Sequence, residues 1–401
     1  MRRALFCVVP EKGHLNPCIG PAQHLRRLGF DVAFYAPANI DAQLQRAGDF
    51  TFLGPKDAPA HANLSRGATF AAHVRDAEWL SQWIQGLLLG DVPEQVETLR
   101  AAMRHWRPHV VVIDPLLYAA AIAAELEGLP WVAMSNSLNP VLPDHLDSAL
   151  LRTVRALSPA RAQLFAGYGL RAEFRGCDVL SPHLTIAFTT EDFIGASPTG
   201  VELVGPSLPQ GVRGDEPLFP WDRLDKRLPL VYMSFGSQIY YQPDLFAKVI
   251  EAVRELPLQL ALSVAELLDT EDLPPLHERV IAVRYMPQLE VLRRADLFIS
   301  HGGANSVMEA LACGVPMLLS PLCNDQFHQA YFIERAQVGR HVDLRMASVA
   351  DIRAAIQALL QPGTIREHVT QIAASYRRDG AAEAARLINA LVAETHPATT
   401  S

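Results

Sequence analysis

Short, unbroken apolar runs alternate along the chain with longer stretches in which apolar residues recur every three or four positions. ALFCVV (4–9), DVAFYA (31–36), FTFLG (50–54), HVVVID (109–114) and WVAMSN (131–136) read as buried strands. Between them lie helical patterns from Pro17 to Leu28, with Asn16 as N-cap and Pro17 at the first helical position, and over roughly 69–89 and 92–105. Apolar strands separated by helices predict a parallel sheet covered on both faces. The alternation restarts at LVYMSFGS (230–237) and continues through QLALSV (259–264), VIAVRYM (280–286), LFISHG (297–302) and MLLSP (317–321), with helical segments from 348 to about 395. Between the two halves, PSLPQGVRGDEPLFPWDRLDKRLP (206–229) has five prolines among charged residues. The expected division is a Rossmann-like domain over 1–212, a linker at 213–228, a second Rossmann-like domain over 229–380, and a helix at 381–401 that crosses back to the first domain. The fold class is α/β, two parallel-sheet domains facing across a cleft.

Length agrees with this division, since 401 residues exceed one ordinary core. Hydrophobic residues make up 49% of the chain, enough for two large cores. The net charge of -8 and the lack of a dense Lys/Arg run argue against nucleic acid or an anionic membrane as partner. The five cysteines are scattered with no C-x-x-C pair, so neither a disulfide framework nor a zinc site is expected, and a reducing cytoplasm fits. MRRALFCVVPEK is too short in its apolar part for a signal peptide and ends in Glu11 and Lys12; no run of about 18 apolar residues predicts membrane insertion.

The loop after the first strand, VVPEKGHLNP, lacks the spaced glycines of a dinucleotide site and offers His14 instead. In a doubly wound sheet the first and fourth strands are neighbours at the switch point, where ligands bind. His14 follows strand one and Asp114 closes strand four, so they are expected side by side. A histidine held by an aspartate suits a general base. The plainer alternative is that His14 caps local backbone and Asp114 ends a strand.

The second half carries a denser constellation. HGGANSVME (301–309) follows a strand and opens a helix near Ala304. Glycines allow close approach, and the free N–H groups at the helix start form an anion site, to which His301, Asn305 and Ser306 add neutral donors. Glu309, one turn on, suits a ribose diol, although an acidic first turn is common in any helix. Tyr285 could stack on a base or be an ordinary half-buried tyrosine; Asp325-Gln326 could bind vicinal hydroxyls or begin a helix.

These residues resemble the donor signature of the family 1 glycosyltransferases, the UDP-glycosyltransferases of the GT-B fold, in its bacterial natural-product branch. Tyr285-Met286-Pro287-Gln288 matches W-x-P-Q; His301, Gly303, Asn305, Ser306 and Glu309 match H-x-G-x-N-S-x-x-E; Gly314 and Pro316 match G-x-P, and Asp325-Gln326 matches D-Q. GHLNP resembles the N-terminal G-H-x-x-P, and SFGS (234–237), with Gly236 and Ser237, the Gly-Ser loop near the phosphates. Tyr285 and Ala304 depart from family tryptophans.

The resemblance implies that the first domain binds an acceptor and the second a nucleotide sugar. Tyr285 then stacks on uracil, Glu309 holds the ribose, and His301, Asn305, Ser306 and Ser237 bind the diphosphate. Asp325 and Gln326 hold the sugar, with glucose expected from the Gln. His14, supported by Asp114, deprotonates a hydroxyl in one inverting step. A UDP-sugar is expected over a dTDP-sugar, because only the former offers Glu309 a 2′-hydroxyl. No cofactor or metal is expected; D-x-D and H-E-x-x-H are absent. A lipophilic, hydroxyl-bearing small molecule is the expected acceptor, in contact with Phe70, Trp79, Trp83 and Ser135; the helical stripe holding the first three is more often plain core packing. The rivals are a dTDP-deoxysugar donor, a lipid-linked acceptor, a sugar-nucleotide epimerase, and a non-catalytic partner, which should have lost His14 or Asp114.

Overall fold

The computed structural model describes residues 2–58, 66–196 and 198–396. The first sheet contains β1 (Arg2–Cys7), β2 (Phe30–Tyr35), β3 (Thr51–Phe52), β4 (Val110–Ile113) and β5 (Trp131–Ser135). A separate antiparallel hairpin, β6 (Glu173–Arg175) and β7 (Asp178–Leu180), precedes β8 (Leu184–Ala187) and β9 (Glu202–Leu203). The order is β3-β2-β1-β4-β5-β8-β9, and every pairing is parallel. The second sheet, also parallel, contains β10 (Leu230–Ser234), β11 (Gln259–Ser263), β12 (Val280–Val283), β13 (Leu297–Ser300), β14 (Met317–Leu319) and β15 (Gly339–His341), ordered β12-β11-β10-β13-β14-β15. The central strands are buried throughout, as the continuous apolar runs require. Each sheet reverses order beside its first strand, between β1 and β4 and between β10 and β13.

Several boundaries differ from expectation. The first helix runs from Lys12 to Arg27, so Asn16 is not an N-cap and Pro17 and Pro21 are interior. Each proline withholds an N–H and leaves a carbonyl one turn earlier without its helical partner. Both carbonyls are used elsewhere: Asn136 Nδ2 donates to Gly13 O at 3.2 Å, and Ser207 Oγ donates to Pro17 O at 2.5 Å. The prolines thus tie the helix to two other segments of the chain. The expected helix over 69–89 is two helices, Gly67–His73 and Ala77–Leu89, because Asp76 caps the second by accepting from the N–H groups of Glu78 and Trp79. The third strand keeps only two residues.

The proline-rich segment is not a loose tether: Ser207 and Arg213 are buried. The helix Gly380–Thr395 packs on the helix Lys12–Arg27 of the first domain. Gly20 makes that approach possible, since a Cβ there would lie 2.8 Å from the Ala381 methyl. Conversely, Phe70 is fully buried in the apolar cluster of the second domain, with Phe235, Ile239 and Tyr240. Gly67 makes the adjoining contact: its N–H donates to Gln238 O at 2.8 Å, and its φ of +56° and the nearby Tyr240 hydroxyl exclude a side chain. Among the described residues no helix is long and apolar enough to cross a membrane.

Candidate active site

A cleft of about 230 Å³ opens between the carboxyl ends of the two sheets. His14 lies in the first turn of the helix after β1, and Asp114 directly follows β4. The register that pairs Cys7 with Ile113 brings them together, with His14 Nδ1 2.6 Å from Asp114 Oδ2. Asp114 is buried and its Oδ1 accepts from Leu116 N–H, which fixes the carboxylate. His14 lines the cleft, and the bond to Asp114 leaves Nε2 as its available nitrogen. Burial alone would depress the imidazole pKa, but Asp114, with Asp325 and Glu11 behind it, raises it to about 9.

Across the cleft the helix Ala304–Cys313 begins at Gly303, and Ala304, Asn305 and Ser306 line the space. The first N–H groups of a helix have no partner within it, so an anion-binding edge faces His14. His301 is buried against Gly236 and Gly303; a Cβ on either would meet its ring within 3.0 Å. Burial without a carboxylate depresses its pKa to about 4, opposed by a hydrogen bond to the Ser234 backbone, so the His301 ring is neutral. Ser237, Tyr285, Met286, Gln288, Asp325 and Gln326 also line the cleft.

Not every candidate is free for the role expected of it. Glu309 is buried and does not line the cleft; it accepts from Arg213, Gln288 and Asn305. Gln326 Oε1 accepts from the backbone N–H groups of Leu322 and Cys323 at 2.8 and 3.2 Å, so it shapes the loop that carries Asp325. Asp325 makes no capping bond; burial raises its pKa, opposed by His14. Tyr285 Oη donates to Glu266 at 2.9 Å, and the Lys12 ammonium lies 4.3 Å from the centre of its ring.

The acceptor candidates lie elsewhere. Phe70, Trp79 and Trp83 form an aromatic group that packs on the second domain, and none lines this cleft. Ser135 is buried and donates to Asp178, which Asn139 also holds at 2.8 Å. Burial raises the Asp178 pKa to about 7, against the pull of those hydrogen bonds.

Sequence reasoning missed the charged residues where the domains meet: Glu11, Lys12, Arg213 and Asp215 all line the cleft. Ser237 Oγ donates to Glu11 at 3.4 Å, and Lys12 lies 3.8 Å from Asp215. The available signal was a charged pair directly after an apolar strand, and VRGDE within the linker.

A family model described as "UDP-glucoronosyl and UDP-glucosyl transferase" matches residues 228–380, and one described as "Erythromycin biosynthesis protein CIII-like, N-terminal domain" matches 72–169. The chain is 25% identical to the uncharacterized UDP-glucosyltransferase YojK of Bacillus subtilis, covering 96% of each. It is 25% identical to demethyllactenocin mycarosyltransferase of Streptomyces fradiae, covering 98% of this chain and 87% of that one. Among solved structures, CalG4, the calicheamicin glycosyltransferase, superposes with a TM-score of 0.74 at 22% identity, covering 99% of this chain and 100% of that one. With two facing parallel sheets, and its two halves matched in order by the two family models, the chain has the GT-B fold and is a glycosyltransferase, similar along its length to the bacterial natural-product members of family 1.

Proposed function

We propose that the protein transfers glucose from UDP-glucose to a hydroxyl of a lipophilic small molecule in one inverting step. The observation that carries this reading is the His14–Asp114 pair, at 2.6 Å, on the wall of a cleft that also holds the helix start at Ala304–Ser306. His14 Nε2 takes the acceptor proton as the oxygen attacks the anomeric carbon. Asp114 keeps Nδ1 protonated and steadies the imidazolium. The departing diphosphate gathers charge at the helix N-terminus, where the backbone N–H groups and neutral His301 donate to it. No metal is invoked in these steps. The sugar is assigned through Asp325, whose carboxylate can accept from two adjacent hydroxyls. The nucleotide is assigned from the likeness to UDP-glucosyltransferases.

The test offers UDP-glucose and UDP-galactose together with a panel of hydroxylated polycyclic acceptors, following mass gain and the anomeric configuration of the product. A β-glucoside, formed with the higher kcat/KM from UDP-glucose, is the expected result. An α-linked product would remove the inverting step. Equal or better use of UDP-galactose would remove glucose, and no transfer from either sugar would remove the donor assignment.

A further inference from the structure

The linker delivers a cation to the carboxylate that the sequence assigns to the ribose. Glu309 Oε1 accepts from Arg213 Nη1 at 2.6 Å and from Asn305 Nδ2 at 2.9 Å, while Oε2 accepts from Gln288 Nε2 at 2.7 Å. All three donors line the cleft and Glu309 does not, so they stand between it and any ligand. A carboxylate offers about four lone-pair sites, and three are taken. Arg213 is itself held: Nε donates to Asp215 at 2.7 Å, and its backbone N–H donates to Glu216 at 2.5 Å. The next residue, Gly214, has a φ of +87° and sits so close to the helix Asp41–Gly48 that a Cβ would lie 2.5 Å from Gln43 O. Arg46 Nε donates to Gly214 O at 2.7 Å. Arg213 is thus a buried, anchored side chain, and withdrawing it would leave the buried Glu309 carboxylate without a counter-charge.

We propose that Arg213 is a specificity-determining residue of the donor site: it keeps Glu309 from the ribose, so the site does not discriminate on the 2′-hydroxyl. The proposal rests on reading the cleft as a nucleoside diphosphate site. Toward the ribose such a site presents the remaining guanidinium hydrogens and the second Asn305 amide hydrogen in place of a carboxylate edge, since both Gln288 amide hydrogens are donated to Glu309 and Ser306. A hydroxyl oxygen accepts as readily as it donates, so the sugar is still held. Any preference for uridine then rests on the base.

UDP and dUDP differ only at the 2′-hydroxyl, and calorimetry with the full chain measures both. The wild-type affinities are expected within about threefold of each other. Arg213→Met frees an acceptor edge of Glu309 and should raise the preference for UDP to about tenfold, the worth of a hydrogen bond to a charged group. Arg213→Met with Glu309→Met removes both charges and should return the ratio to about threefold, an outcome that a merely structural role for Arg213 does not predict. A wild-type preference for UDP of tenfold or more overturns the proposal, as does an unchanged ratio in folded Arg213→Met. Should that variant not fold, Arg213→Lys, too short to span Glu309 and Asp215 together, replaces it under the same criteria. Binding of neither nucleotide by the wild type would overturn the donor reading itself, and this proposal with it.

Discussion

The two sheets place a histidine near the same switch point and treat it in opposite ways. In the first domain His14 follows the strand β1, and the residue after β4 is Asp114. In the second, Gly236-Ser237 follows β10, and the residue after β13 is His301, with two glycines behind it. Beside the carboxylate the imidazole pKa is raised to about 9; buried with none, it is lowered to about 4. One scaffold therefore gives an imidazole with its counter-charge built in, and the other an imidazole kept neutral by burial. The fold supplies the position, and one neighbouring side chain decides the chemistry.

The sharpest way to break the comparison is to remove the first histidine. His14→Ala should lower kcat with an aliphatic alcohol acceptor roughly 100- to 10,000-fold while leaving the affinity for UDP unchanged. Near-normal turnover in that variant would mean that His14 is not the base. A phenolic acceptor, which ionises more readily, makes a poorer test.

Removing the second histidine should give the complementary result. His301→Ala takes away one donor to a charged diphosphate and should weaken UDP binding by about 10- to 100-fold. The pH dependence of kcat/KM should not move, because His301 does not titrate in the working range. A shifted profile would show that the two histidines are not independent.

The smallest effect concerns pH. Because Asp114 raises the His14 pKa, His14 is mostly protonated at neutral pH, and if it acts as the proposed base kcat/KM should climb as pH rises toward about 9. Asp114→Asn removes that support, so the climb should move to lower pH, with a rate loss smaller than that of His14→Ala. Stability runs the other way. A histidine whose folded pKa exceeds its unfolded value stabilises the fold fully below about 6.5, and loses that contribution as pH rises through the folded value. The wild type should thus lose on the order of 1–3 kcal/mol between pH 6.5 and 9.5 relative to His14→Gln, read from urea midpoints. Parallel curves for the two proteins would contradict the raised pKa.

The alternation of strands and helices was legible because buried parallel strands need unbroken apolar runs. The meeting of His14 with Asp114 followed from sheet order alone, since the order is limited to a few topologies. The start of the first helix was misread because proline most often begins a helix; Pro17 is tolerated inside only because Asn136, far along the chain, takes the carbonyl it orphans. Arg213 was illegible for a related reason. VRGDE marks a charged cluster in a proline-rich segment but not which partner it meets, and Glu309 lies 96 residues away. The aromatic residues Phe70, Trp79 and Trp83 have helical spacing, which reports one apolar face and not what covers it.

The exchange between the domains bears on how the protein comes apart. The first half lends Phe70 to the core of the second, and the end of the chain lends the helix Gly380–Thr395 to the first. Cutting at the linker would therefore expose an apolar socket on one fragment and strip a covering helix from the other. Two domains built this way share their cooperativity: the cleft is a seam within one folding unit. Calorimetry of the intact chain should show a single transition in which both sheets melt together, and two separable transitions would mean that these contacts are too weak to join them.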